Sequence, residues 1–256
     1  MPPAERRVVS RKQLPTFKKL TDDDAVIGVN MVVFGQPGVG KTTFALEAQK
    51  SPYGAETVLI DTDKGRESVL DVDASFVVPQ DWKELRGYLD AAMEAGAESP
   101  YKTWVFDSLS SIYDELLVPH VVGDETKKPT WDHYHEMQRL MIKLVRDAKS
   151  LCEYGVNSIF IGHVIEEATD DTVFVRLGLP QKLRNKILLA VNHVGYLERE
   201  VNTKKGVDVR RLHLSPPNSR VEGPKFRQTK STDKPVPLVI ENPYLPNIFD
   251  IIRKGS

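Results

Sequence analysis

The stretch Gly35-Gln36-Pro37-Gly38-Val39-Gly40-Lys41-Thr42-Thr43 constrains this chain more than any other, because it fits the spacing G-x-x-x-x-G-K-[ST]. Such a loop works only between a strand and a helix. Its glycines let the backbone curl so that successive N–H groups face a β-phosphate, its lysine spans the β- and γ-phosphates, and the hydroxyl that follows meets Mg²⁺. The flanks agree: Val29-Asn30-Met31-Val32-Val33-Phe34 reads as a buried strand. Thr42-Thr43-Phe44-Ala45-Leu46-Glu47-Ala48 reads as a helix whose amino-terminal dipole favours anions. Gly35 through Thr43 are therefore candidate contacts to ATP, with Lys41 catalytic and Thr42 a ligand to Mg²⁺.

Composition narrows the setting. With 256 residues, 40% of them hydrophobic and 28% charged, the chain can bury roughly three quarters of its unfolded surface in one large domain. A net charge of −1 supplies no global basic field to gather nucleic acid, so any such binding needs local patches. Cys152 is the only cysteine, which excludes an intramolecular disulfide. No run of about eighteen apolar residues exists to span a bilayer. The first residues, with Arg6, Arg7, Arg11 and Lys12, lack the apolar stretch of a secretory signal. The expectation is a cytoplasmic protein with no membrane partner. Residues 1–25, polar and proline-punctuated, read as a flexible arm, and residues 26–256 as the folded domain.

From Val26 onward apolar runs alternate with helical patterns. Thr57–Asp61, Ser75–Val78, Thr103–Asp107 and Asn157–Gly162 read as short strands buried on both faces. Between them, Asp81–Ala95 and Trp131–Tyr154 carry apolar residues at helical spacing, such as Met137, Leu140, Met141, Leu144 and Val145. That alternation implies an α/β fold with a mainly parallel, doubly wound sheet and helices on both faces. After His163 the pieces Thr172–Leu177, Gly195–Val201 and Val207–Leu214 are strand-like, with one helix near Pro180–Val191, and suggest an antiparallel extension. Pro235–Ile240 and Pro246–Arg253 add a last strand and helix.

The candidate chemistry lies at strand ends. Asp107 closes an apolar strand and is the candidate carboxylate on the Mg²⁺ side; Asp61 is the alternative. Asp63, two residues after Asp61, is the candidate catalytic carboxylate that orients water, because a hydrolase needs one carboxylate for metal and another for the nucleophile. Asp61 and Asp63 also suit a turn and a cap. His163 follows the strand Ile159–Gly162 at a position where a polar tip faces a γ-phosphate; a turn residue is the plain alternative. Lys225 and Arg227 share one face of a strand at i and i+2 and could reach the γ-phosphate of a nucleotide held by the next subunit, although charged edge strands are ordinary. Lys182, Arg184 and Lys186, then Lys204, Lys205, Arg210 and Arg211, are candidate phosphate contacts to nucleic acid, with Trp131 and Phe174 the nearby stacking residues.

Taken in order, these motifs resemble the RecA-like P-loop ATPase core, and most of all the short phage-encoded RecA-like single-strand annealing proteins of the Sak type. The resemblance rests on Gly35–Thr43, Asp61-Thr62-Asp63, Val105-Phe106-Asp107-Ser108-Leu109-Ser110-Ser111-Ile112, Ile159–His163, Leu179–Leu197 and Lys225–Arg227. It implies a RecA-like P-loop NTPase core that uses ATP and Mg²⁺, assembles as a homo-oligomer in a ring or filament, and binds single-stranded DNA. Annealing or homologous recombination beside a single-strand-binding protein, in the cytoplasm of a phage's host, is the implied function. Asp63 stands where such proteins place a glutamate, one methylene longer, which implies slow or DNA-stimulated turnover; His163 stands where a glutamine is common. Phe17 in the arm is the implied anchor of one protomer on the next. A hexameric helicase-like motor, a P-loop phosphotransferase acting on a small molecule, and a non-enzymatic DNA-binding module are the alternatives.

Overall fold

Strands buried on both faces require helices above and below them, and the computed structural model of this chain supplies both. It describes residues 27–123, 127–169, 172–202, 207–226 and 237–254. The expected arm 1–25 with Phe17, and the candidates Lys204, Lys205 and Arg227, lie outside the described residues. The elements run β1 Asn30–Gly35, α1 Lys41–Leu46, β2 Thr57–Asp61, β3 Ser75–Val77, α2 Trp82–Ala95 and β4 Thr103–Asp107. Next come α3 Leu109–Ser111, a π-helical stretch Ile112–Leu117, α4 Val118–Val122 and α5 Trp131–Ser150. The chain continues through β5 Asn157–Thr169, β6 Thr172–Leu177, α6 Gln181–Ala190, β7 His193–Asn202, β8 Val207–His213, β9 Val239–Glu241 and α7 Leu245–Lys254.

The strands form one sheet in the order β3-β2-β4-β5-β1-β7-β8-β9, with β6 paired to β5 outside that path. From β3 to β7 every neighbouring pair is parallel; β8 and β9 follow antiparallel. The fold is thus the expected RecA-like P-loop architecture, a mostly parallel sheet with an antiparallel carboxyl-terminal extension.

Period-two alternation sorts the side chains into two cores. Val32 and Phe34 of β1 face α2, the α3–α4 region, α5 and α6 in one cluster. Met31 and Val33 face α1 and α7 in the other. Burying a large aliphatic or aromatic side chain contributes roughly 1.5–3 kcal/mol, and Phe34, Phe44, Phe106, Phe160 and Phe249 are all fully buried. Helix starts are set by local hydrogen bonds. Asp81 Oδ1 accepts from the Glu84 N–H at 2.8 Å at the start of α2, and Thr130 and His133 form a capping box on α5.

Three features depart from the expectation. β3, expected to be buried on both faces, is an edge strand exposed at Ser75 and Phe76. The segment after Asp107 is helical through Val122, whereas the sequence marked it only as a motif. β5 does not stop at Gly162: it leaves the central sheet after His163 and continues as a hairpin with β6, from Val164↔Leu177 to Thr169↔Thr172. The Cys152 thiol is buried, 3.9 Å from Ser158 Oγ. Among the described residues no helix is long and apolar enough to cross a membrane.

Candidate nucleotide site

Parallel register brings four strand ends, three of them with polar side chains, into one row. Asp61 is level with Asp107, Phe106 with Phe160, and Gly35 with His163. β5 therefore lies between the P-loop strand and the Asp107 strand, and the side chains emerge together at the carboxyl edge, where open α/β sheets bind ligands.

The P-loop takes the shape its glycines permit. A β-carbon on Gly35 would stand 2.1 Å from the Leu197 carbonyl oxygen, so only glycine lets β7 pass this closely. Gly40 has φ 88°, left-handed backbone that favours glycine. Lys41, 6% exposed, folds back so that its Nζ donates to the Gly35 and Gln36 carbonyls, each at 3.0 Å. Burial lowers its pKa, against the pull of Asp107 and Asp63. Of its three ammonium hydrogens, the loop carbonyls occupy two.

Thr42 Oγ1 donates to Asp107 Oδ2 at 2.6 Å, so the two expected Mg²⁺ ligands meet. Burial pushes the Asp107 carboxyl up to about 6, helped by Asp63 and opposed by the Thr42 hydrogen bond, His163 and Lys41. Hard oxygen donors from a hydroxyl and a carboxylate suit Mg²⁺, which takes its remaining ligands from phosphate and water. Among the described residues no group of three or more His, Cys, Asp and Glu could hold a metal without such help. Asp61, the alternative metal carboxylate, is engaged elsewhere: it accepts from the Gly65 N–H at 3.2 Å and pairs with Arg66 at 3.2 Å, the turn role that its sequence also allowed.

Asp63 and His163, a hundred residues apart, form one dyad, with His163 Nε2 2.6 Å from Asp63 Oδ2. Asp63 Oδ1 accepts from Ser108 Oγ at 3.0 Å and from Ser111 Oγ. Burial raises the Asp63 pKa, but the bonds from His163 and Ser111, the charge of His163 and the bond from Ser108 outweigh it and hold the carboxyl below the usual range. An ionised carboxylate only accepts hydrogen bonds, so Nε2 carries the shared hydrogen. The Asp63 loop is tied down by the Thr62 and Asp63 N–H groups, which donate to the Asp107 carbonyl at 2.7 and 3.1 Å.

The structure thus gathers Lys41, Thr42, Asp63, Asp107 and His163. It does not bring Lys225 to them. Lys225 pairs through its backbone with Val194, two positions before the β7 residue level with Phe34. Of the basic candidates, Arg184 is 2% exposed and bound to Glu167 at 3.0 Å, and Arg211 is held by Glu200 and Glu241. Neither is an open phosphate contact, because carboxylates have taken the charge, from the β5 hairpin for Arg184 and from neighbouring strands for Arg211. Three participants escaped the sequence reading: Ser108, Ser111 and Glu166, which accepts from Gln36 Nε2 at 3.1 Å. For the serines the signal was present in the hydroxyl-rich run Ser108–Ser111 after the strand-ending aspartate.

Residues 27–223 match the family AAA_24, described as an AAA domain. Among solved structures, a KaiC-like protein from the archaeon Pyrococcus horikoshii OT3 aligns at 18% identity, with a TM-score of 0.43, over 73% of this chain and 78% of that one. Curated protein sequences yield no match. The family match spans more than half of the chain and includes the P-loop, both strand-end carboxylates and His163: the chain belongs to the AAA domain family AAA_24.

Proposed function

We propose that this chain binds and hydrolyses ATP, binds single-stranded DNA as a homo-oligomeric ring or filament, and promotes annealing or homologous recombination, with phage origin and a single-strand-binding partner as the resemblance implies. One observation carries the enzymatic part: Lys41, Thr42, Asp107, Asp63 and His163 converge at one sheet edge, with Thr42 and Asp107 in direct contact.

Mg²⁺ bound with the nucleotide would be held by Thr42 Oγ1 and Asp107 and supplies neutralisation of phosphate charge. Lys41 turns its third hydrogen to a phosphate oxygen. Asp63 orients the attacking water and takes its proton, while His163, bonded to the same carboxylate, relates its position to the phosphate above it. Both Asp63 oxygens are already engaged, by Ser108 and Ser111 on one side and His163 on the other. Of the roughly four acceptor sites of an ionised carboxylate, three are thus taken, which leaves a lone pair on Oδ2 for the water. Slow or DNA-stimulated turnover rests on Asp63 being one methylene shorter than the glutamate of the resemblance. Lys225 and Arg227 of a neighbouring subunit reach the γ-phosphate in this reading, since Lys225 lies away from the cluster of its own chain.

The DNA part is supported by the motif order and by the exposed Trp131, 73% accessible, with Lys182 Nζ 5.6 Å from its ring centre. The test is ATP hydrolysis by wild type and Lys41→Ala, each with and without single-stranded DNA, with DNA binding followed in parallel. A Lys41-dependent rate that DNA raises is expected. Turnover stimulated by a small-molecule acceptor and not by DNA would favour a phosphotransferase, directional unwinding a helicase-like motor, and tight ATP retention without turnover a non-enzymatic module.

A further inference from the structure

The antiparallel strand β8 carries adjacent arginines, and neighbours on a strand point to opposite faces. Arg211 faces carboxylates and is neutralised by Glu200 and Glu241. Arg210 faces the P-loop. Its Nη1, Cδ and Cζ lie 2.9, 3.8 and 4.0 Å from where a β-carbon on Gly40 would stand, so the guanidinium rests against the glycine that precedes Lys41. Arg210 is half-buried, and among the described residues its guanidinium makes no hydrogen bond or ion pair. Two carboxylates are near enough to feel its charge without bonding to it. Glu47 accepts instead from the Leu245 N–H at 3.1 Å, and Asp208 pairs with Arg199.

The position is fixed from behind. Asn242, at φ 43°, donates its backbone N–H to the Arg210 carbonyl at 2.7 Å and accepts the Arg210 N–H on its side-chain oxygen at 3.3 Å. A half-buried guanidinium carries five donors in a planar fork suited to phosphate, and leaving it without an anion is costly. The loop it touches is the one whose backbone cradles the α- and β-phosphates.

We infer that Arg210 is a nucleotide-binding residue supplied by the same chain, closing over the α/β-phosphate side of the P-loop. The inference rests on the nucleotide reading of that loop. It takes Arg210 out of the DNA-binding surface and separates it from Lys225 and Arg227, whose proposed target is the γ-phosphate of a neighbour's nucleotide. Because ADP and ATP share the α- and β-phosphates, Arg210 serves both alike.

The experiment is isothermal titration of Mg-ADP and a Mg-bound non-hydrolysable ATP analogue into wild type, Arg210→Ala and Arg210→Lys, with a thymidine oligonucleotide titrated separately. Arg210→Ala is expected to weaken both nucleotides by roughly ten- to a hundredfold, with Arg210→Lys between, and to leave oligonucleotide affinity unchanged. Equal nucleotide affinity in wild type and Arg210→Ala overturns the inference alone, as does a loss confined to the oligonucleotide. Wild type that binds neither nucleotide overturns the ATP reading and this inference with it. If Arg210→Ala melts early, Arg210→Gln, which keeps the stem and a polar end, provides the same comparison.

Discussion

The parallel and antiparallel halves of the sheet use polar residues in opposite ways. β1, β2 and β4 are buried at every residue, and the ionisable side chains among those residues, Asp61 and Asp107, stand at their carboxyl ends. In the antiparallel part the burial is partial, as along β6 and β9, and charges recur along the strands. There Arg176 pairs with Glu167 and Glu222, Arg199 with Asp208, Arg211 with Glu200 and Glu241, and His213 with Glu198. Position along the strand therefore assigns a role in the first half, and the face of the strand assigns it in the second. A charge at the end of a doubly buried strand is costly to place and needs its partners: the Gly65 N–H and Arg66 for Asp61, Thr42 for Asp107. A charge on a half-exposed ladder commonly has a partner opposite and contributes little.

The sharpest test of the first half is its interior. Phe160 is fully buried and stacks on Phe106 at 4.8 Å, in the strand between the P-loop and Asp107. Phe160→Ala should cost about 3–5 kcal/mol by chemical denaturation and misalign the row of strand ends, so that activity falls by more than the fraction unfolded explains. A loss of activity matching the unfolded fraction would show that register tolerates a cavity there.

Asp107→Asn should separate stability from function. A carboxyl whose folded pKa is raised from 3.8 to about 6 binds more protons folded than unfolded between those values. The metal-free protein therefore loses stability from this group as pH rises from about 4 to about 6, and the deficit is constant above. Removing the charge while keeping an oxygen for Thr42 should raise the stability of the metal-free protein by about 2–3 kcal/mol at pH 7 and by almost nothing at pH 4. ATP turnover should be abolished. A variant no more stable at pH 7 than wild type would mean that Asp107 is not strained by burial.

Much of this arrangement was legible in the chain. The P-loop, the strands ending at Asp61 and Asp107 and the helices α2, α5, α6 and α7 follow from apolar periodicity and glycine spacing, which are local properties. The Asp63–His163 pair was not, because its members meet only through the register of β2, β4 and β5. Arg184 was misread for the complementary reason: a basic residue on an amphipathic helix looks solvated until Glu167, on a hairpin extension the sequence did not foresee, comes to meet it. The opposed directions of Arg210 and Arg211 were available from strand alternation, but the identity of what each faces was not.

Ser111→Ala tests the support beneath Asp63. The Ser111 bond helps hold the Asp63 carboxyl below its usual range, so its loss should move the acidic limb of the turnover–pH profile to higher pH. Because the folded pKa is depressed, this group's stabilisation is present above about pH 4 and disappears as pH falls through the folded value. Ser111→Ala should therefore also flatten the acid end of the stability curve. Turnover at pH 7 is expected to fall by about tenfold, the order of one hydrogen bond to a charged group. An unchanged pH profile with the same loss of rate would assign Ser111 a packing role only.

Arg211→Ala should have the smallest effect, and it bears directly on the comparison. Counted by charge, Arg211 belongs to a basic strip that attracts phosphate, and its removal would weaken DNA binding and lower the salt dependence by about one released counterion. Seen on its ladder, it is neutralised by Glu200 and by Glu241, whose carboxylate lies 3.1 Å from its Nε. Oligonucleotide affinity measured across a salt series should then be the same for Arg211→Ala and wild type. A reduced slope would mean that the ion pairs open when DNA arrives, and that the antiparallel face is a phosphate surface whose charges are only loosely held.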